Sequence, residues 1–71
     1  MMKIIANNYL PKDVMRIIRE WTELTQKDFA KSVNRSREGI QKYETGKRKF
    51  TFETFMQFCK EHDIKVTIEK K

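Results

Sequence analysis

The sequence predicts a mainly α-helical domain of four short helices, with a strand-like segment at each end. Three observations carry that reading. Apolar residues recur at three- and four-residue spacing in four separate stretches. The last three stretches are each preceded by a Thr or Ser suited to cap a helix. Only the two ends of the chain switch to strand-like patterns. The 71 residues are read as one domain, 1–71, with its central motif at 25–45 and a tail at 64–71. A chain this small buries only about 60% of its unfolded surface, so each large apolar residue matters to the core.

The elements follow in order. Lys3–Ala6 is a candidate strand, and Asn7-Asn8 marks a turn. Pro11 suits the first turn of a helix, where its missing N–H is not needed. From Lys12 to about Glu23, Val14, Ile17, Ile18 and Trp21 recur at helical spacing, and Leu24 closes the stripe. Thr25 is the next N-cap, and Asp28 three residues on makes a capping-box-like pair. The second helix runs from Gln26 to about Ser32 and buries Phe29, Ala30 and Val33. Asn34 turns the chain, because Asn tolerates the left-handed backbone region. Ser36 caps a third helix from Arg37 to about Glu44, with Ile40 and Tyr43 inward and Arg37, Glu38, Gln41 and Lys42 outward. Gly46 ends it. Thr51 caps a fourth helix to about His62, with Phe52, Phe55, Met56, Phe58 and Cys59 on its apolar side, and Asp63 stops it. Ile64, Val66 and Ile68 then alternate with Lys65, Thr67 and Glu69, a strand signal. A lone strand needs a partner, either Lys3–Ala6 of the same chain or a second copy across a dimer.

Charge narrows the function. The net charge is +6 and the isoelectric point about 9.7. Between Lys27 and Lys49 eight basic residues face three acidic ones, so +5 of the +6 falls in a third of the chain. That is the footprint of a polyanion binder, although a solvated charged face would look the same. A single cysteine excludes an internal disulfide and fits a reducing compartment. Ile4-Ile5-Ala6 is too short for a signal peptide or membrane span, so the protein reads as soluble and cytoplasmic, with no membrane partner. Cys59, His62 and Asp63 share one helix end, but a structural zinc site takes four ligands and no second Cys or His exists. Cys59 also lies on the apolar stripe. With no glycine-rich phosphate loop or paired carboxylates, no catalytic residue, metal or cofactor is expected, and the chain is not read as an enzyme.

The central run carries a resemblance. Leu24-Thr25-Gln26, Phe29-Ala30, Val33-Asn34-Arg35-Ser36, Ile40, Tyr43-Glu44, Gly46-Lys47-Arg48 and Thr51-Phe52-Glu53-Thr54-Phe55 fall in one ungapped register over thirty-two residues. This resembles the helix-turn-helix of the xenobiotic-response-element family, which includes the phage repressor and Cro proteins. The resemblance implies a compact four-helix repressor-like fold and a transcriptional regulator, of the repressor kind, that binds double-stranded DNA. It implies a homodimer on a palindromic site and a prokaryotic or phage source. It places Arg37, Glu38, Gln41 and Lys42 at base edges, where Arg37 suits guanine O6 and N7 and Glu38 suits cytosine N4. An ion pair between Glu38 and Lys42 is the structural alternative there. Gln26, Lys47, Arg48 and Lys49 fall at phosphate positions; Thr25 and Ser36 do so too, though they read first as caps. The resemblance also pairs Arg19 with Glu44 in a structural ion pair.

Three features depart from the pattern. Gly39 stands inside the third helix where relatives carry Thr or Ser, at a cost of about 0.8–1.0 kcal/mol relative to Ala. Phe50 replaces a proline, and a strand-like tail replaces the fifth helix that builds the phage repressor dimer. A rival reading is a protein-interaction module, such as an antitoxin or anti-repressor component that binds a toxin or co-regulator and controls its own operon. RNA is a weaker partner, because no aromatic platform accompanies the basic residues.

Overall fold

A computed structural model describes residues 2–71. Four helices, α1 (Pro11–Thr22), α2 (Gln26–Ser32), α3 (Arg37–Thr45) and α4 (Phe52–Glu61), pack round one core, preceded by a 3-10 turn at Ala6–Asn8. The chain is mainly α, as the apolar spacing requires.

Each helix starts and stops for a local reason. Pro11 is the first residue of α1, and the amides of Asp13 and Val14 bond the carbonyl of Leu10. Thr25, Ser36 and Thr51 cap α2, α3 and α4, their hydroxyls accepting from the amides of Asp28, Gly39 and Thr54 at 3.1, 3.0 and 3.0 Å. Such caps contribute about 1 kcal/mol each. α2 and α4 end alike. Asn34 and Asp63 take left-handed φ values of 60° and 55°. The following amides, of Arg35 and Ile64, reach back to Ala30 and Cys59 at 2.8 Å. The amides of Asn34 and Asp63 bond Lys31 and Lys60 at 3.3 Å, which completes a Schellman closure at both ends. Gly46 closes α3 at φ 80°, whereas α1 ends on Glu23, a residue with no such preference, at φ 61°.

The core consists of Met15, Ile18, Phe29, Ala30, Val33, Ile40, Tyr43, Phe58 and Cys59. Phe29 meets Phe58 edge-on at 5.8 Å between ring centres. Phe50, the residue in place of proline, fills the gap between Tyr43 (5.5 Å) and Phe55 (6.0 Å), which explains an aromatic at that position. Two details of the expected core change. On α1 the buried line is Met15 and Ile18, with Ile17 and Trp21 only half-buried, so the stripe is rotated from the expected one. On α4, Phe52 and Met56 are 60% and 41% exposed, because Phe55, Phe58 and Cys59 already fill the space facing α2 and α3.

The two expected strands do not form: no strand occurs among the described residues. Of the N-terminal candidate only Ala6 enters the 3-10 turn, closed by backbone bonds from Asn8 to Ile5 and from Tyr9 to Ala6, and Lys3–Ile5 pair with no other segment, so the tail has no internal partner. The alternation in the tail is nonetheless physical, since Ile64 and Val66 pack on the core while Lys65 and Thr67 face outward.

Cys59 is buried, and burial alone raises its thiol pKa to about 11. At about pH 8 the thiolate is then about a thousandth of the thiol, and the thiolate is the reactive form. The folded protein should therefore react with a disulfide reagent orders of magnitude more slowly than the urea-unfolded chain, measured by release of the chromogenic thiol. Equal rates would show that the α4 stripe is open to solvent.

Candidate nucleic-acid interface

α2 and α3 form a bihelical unit joined by Val33–Ser36. Ala30, small and buried, lies under the junction, and the left-handed Asn34 reverses the chain. Ile40 and Tyr43 pin one side of α3 to the core. The opposite side is left to solvent, and Arg37, Glu38, Gln41 and Lys42 all lie on it. None of these four side chains makes an ion pair or hydrogen bond among the described residues, and the Glu38–Lys42 pair does not form. Their ends are free to meet a ligand. Lys47, Arg48 and Lys49 are exposed in the loop that follows.

One acid at the end of α3 is withdrawn from this surface. The Glu44 side chain is only 4% exposed, and Arg19 from α1 grips it in two bonds, Nε to Oε2 at 2.7 Å and Nη2 to Oε1 at 3.0 Å. The third guanidinium arm donates to the Leu24 carbonyl at 3.0 Å, so α1, the α1–α2 connection and α3 are tied at one point. The hydrogen bonds that Arg19 donates to Glu44 hold its guanidinium charged, raising its pKa against the opposing effect of burial. The result is a neutralised pair behind a basic face.

Gln26 joins the same group, its Nε2 donating to Glu44 Oε1 at 3.2 Å. One amide hydrogen is committed there, and the second remains for another acceptor. Thr25 and Ser36 are engaged as caps and keep their hydroxyl hydrogens. The sequence contains no local sign of the Gln26–Glu44 bond, which spans eighteen positions. It also hides the Arg35 side chain, which lies over the Phe58 ring at 5.7 Å and is thereby turned toward the core.

Gly39 is buried one turn into α3, and a Cβ there would stand 3.1 Å from the Ser36 hydroxyl oxygen that caps the helix. Asp28 and Thr54 carry side chains at the corresponding positions of α2 and α4 and form the same cap bond, so nothing in the structure explains a glycine at this position.

The model for the helix-turn-helix domain family matches residues 13–63, from the first turn of α1 to the close of α4. This chain belongs to that family. Comparison with curated proteins and with solved structures returns no significant match. A helix-turn-helix domain is a DNA-binding rather than an enzymatic kind of module; in such modules the second helix enters the major groove, and α3 holds the second place in the unit described above. No three His, Cys, Asp or Glu side chains are grouped to hold a metal ion among the described residues, where no helix is long and apolar enough to cross a membrane. His62, one of the three residues that might have formed such a site, stacks on Phe29 at 5.0 Å and bonds Ser32 at 2.8 Å.

Arg19 and Glu44 are partly buried, so the loss on removing one partner lies between that of a surface pair, about 1 kcal/mol or less, and that of a fully buried one, about 3–5 kcal/mol. Arg19→Ala should therefore destabilise this helix-turn-helix domain by about 1–3 kcal/mol in urea titration. An Arg19→Met, Glu44→Leu double variant should recover most of the loss. A loss below about 1 kcal/mol in the single variant would place the pair with ordinary surface pairs.

Proposed function

We propose that this domain is a sequence-specific transcriptional regulator, a repressor of the xenobiotic-response-element kind, which reads the major groove with α3. One observation carries the reading. The outward face of α3 presents two cations, an acid and an amide with no partners of their own, while the acid that would oppose DNA, Glu44, is held inward by Arg19. In this reading Arg37 takes a guanine in two hydrogen bonds, Glu38 accepts from a cytosine, and Gln41 and Lys42 complete the base contacts. Lys47, Arg48 and Lys49 clamp the flanking backbone, helped by the free hydrogens of Gln26, Thr25 and Ser36. Phosphate contacts of this kind fix register and give salt-dependent affinity without choosing sequence. Two copies bind a palindrome, with half-sites about one helical turn (roughly 34 Å) apart. The protein acts in the cytoplasm of a prokaryote or on a phage genome.

A second reading, a protein-interaction module of the antitoxin or anti-repressor sort, is favoured by the exposed Phe52 and Met56 on α4. It uses a face other than α3, and the two activities are compatible in one chain.

Sites should first be selected from a random DNA pool and then titrated with variants. Arg37→Ala should weaken the selected site by about 1–3 kcal/mol and relax preference at one base pair. Lys47→Ala should instead weaken all sequences alike and lower the slope of log affinity against log salt by about one. No enrichment of any sequence, or affinity indifferent to salt, would overturn the reading. Retention of full DNA affinity by Arg37→Ala together with loss of a protein partner would favour the second.

A further inference from the structure

An apolar groove opens where the 3-10 turn, the start of α1 and the start of α4 meet. Its wall is Ala6, Pro11, Val14, Phe50, Phe52 and Phe55, and its volume is about 190 Å³. Phe52 stands in this wall 60% exposed, and the chain neighbours of Ala6 and Pro11, Ile5 and Leu10, are 63% and 59% exposed. Exposed apolar surface gathered in this way marks a contact for another molecule. Pockets that hold a free ligand run to roughly 300–1,000 Å³, so this smaller groove suits one or two inserted side chains.

The unpaired charge at its edge has one sign. Lys12 follows Pro11 in α1, and its stem lies over the end of α3, where a Cβ on Gly46 would stand 3.2 Å from Lys12 Cδ. Lys12 thereby reaches the loop that carries Lys49, the neighbour of Phe50. Neither lysine makes an ion pair among the described residues. The acids nearest in sequence are engaged elsewhere. Asp13 faces Arg16 at 3.9 Å, and Glu53 lines a separate groove with Met56, Ile64 and Val66.

We propose that this groove docks an acidic segment of another protein. The segment seats a large apolar side chain against Val14, Phe52 and Phe55 and sets carboxylates against Lys12 and Lys49. Opposite charge at such a rim speeds encounter and rejects wrong partners, while the buried side chain supplies the affinity. The proposal rests on the protein-interaction reading above and makes it specific, separating Phe52 from Met56, which belongs to the other groove. A second copy fits less well, because two chains of net charge +6 would bring their rim cations together. A lipid surface would leave the concave part of the wall unfilled.

The probe is a phage-displayed library of random peptides selected on the immobilised full chain, with the most enriched sequence then synthesised and its affinity measured by fluorescence anisotropy. Enriched sequences should share a Trp, Phe or Leu flanked by Asp or Glu, and affinity should fall as salt rises. Phe52→Ser opens the wall and Ala6→Phe fills the groove, and each should weaken the peptide about tenfold. Lys12→Glu and Lys49→Glu should each weaken it about fivefold. Met56→Ser and Ile68→Ser should leave it unchanged. Thermal midpoints show which variants fold as wild type does; should Phe52→Ser lose its fold, Ala6→Phe, which removes no contact, decides. Peptides that lack acids, or that bind the Ala6→Phe variant as they bind wild type, overturn the proposal. So do phosphatidylglycerol vesicles that bind wild type and not Phe52→Ser, which assign the groove to lipid. Concentration-dependent NMR shifts at Ile5, Leu10 and Phe52 without peptide assign it to a second copy and overturn it equally. Peptides that lose affinity on Met56→Ser overturn this site and spare the protein-interaction reading. No enrichment of any peptide overturns both.

Discussion

The arrangement of the helices depends on the bidentate contact between Arg19 and Glu44. Apolar contacts among Phe29, Ile40 and Phe58 are non-directional and tolerate sliding, so they make the domain compact without fixing where α3 lies. A guanidinium fork on a carboxylate has essentially one geometry. Through its third arm on Leu24, and through Gln26 on the same carboxylate, that geometry is imposed on α1, on α2 and on the far end of α3 together. Ion pairs of this degree of burial add little net stability over an apolar substitute. The role inferred here is positional. The pair locks the rod that carries the exposed face and removes a negative charge from its neighbourhood in the same stroke.

Around that fixed point the chain reverses direction by local means. Asn34 and Asp63 close their helices in the same way, in left-handed conformations that a short polar side chain tolerates. The three hydroxyl caps start the helices that follow each turn. Because these devices act within five or six residues, little of the fold's definition is left to long-range contacts beyond the core and the Arg19–Glu44 pair.

Helix limits, caps and turns could be read from the sequence because their causes are local. Thr25, Ser36 and Thr51 sit one residue before an apolar repeat, and Asn34, Gly46 and Asp63 sit where one ends. What could not be read depends on competition for space. Val14, Ile17 and Trp21 fit a helical stripe as well as Met15 does, and only the positions of α2 and α3 decide that Met15 takes the centre. Phe52 has the composition of a core residue, but the inward side of α4 is already occupied. The terminal strands failed for a related reason: alternation reports which side chains face the core, not whether the backbone has a partner. For the interface, the outward placement of Arg37, Glu38, Gln41 and Lys42 follows from helical phase. The diversion of Gln26 to Glu44 and of Arg35 to Phe58 needed the three-dimensional arrangement.

The absence of intramolecular partners on the outer face of α3 has an evolutionary consequence. Core, caps and ion pair are all made by other residues, so Arg37, Glu38, Gln41 and Lys42 are under no obligation to the fold. Surface substitutions of that type usually alter stability by less than about 0.5 kcal/mol. In the function proposed above, mutation can therefore explore new ligand preferences at these four positions without first finding compensating changes elsewhere. Duplicated copies of such a gene would diverge in what they recognise long before they diverge in shape.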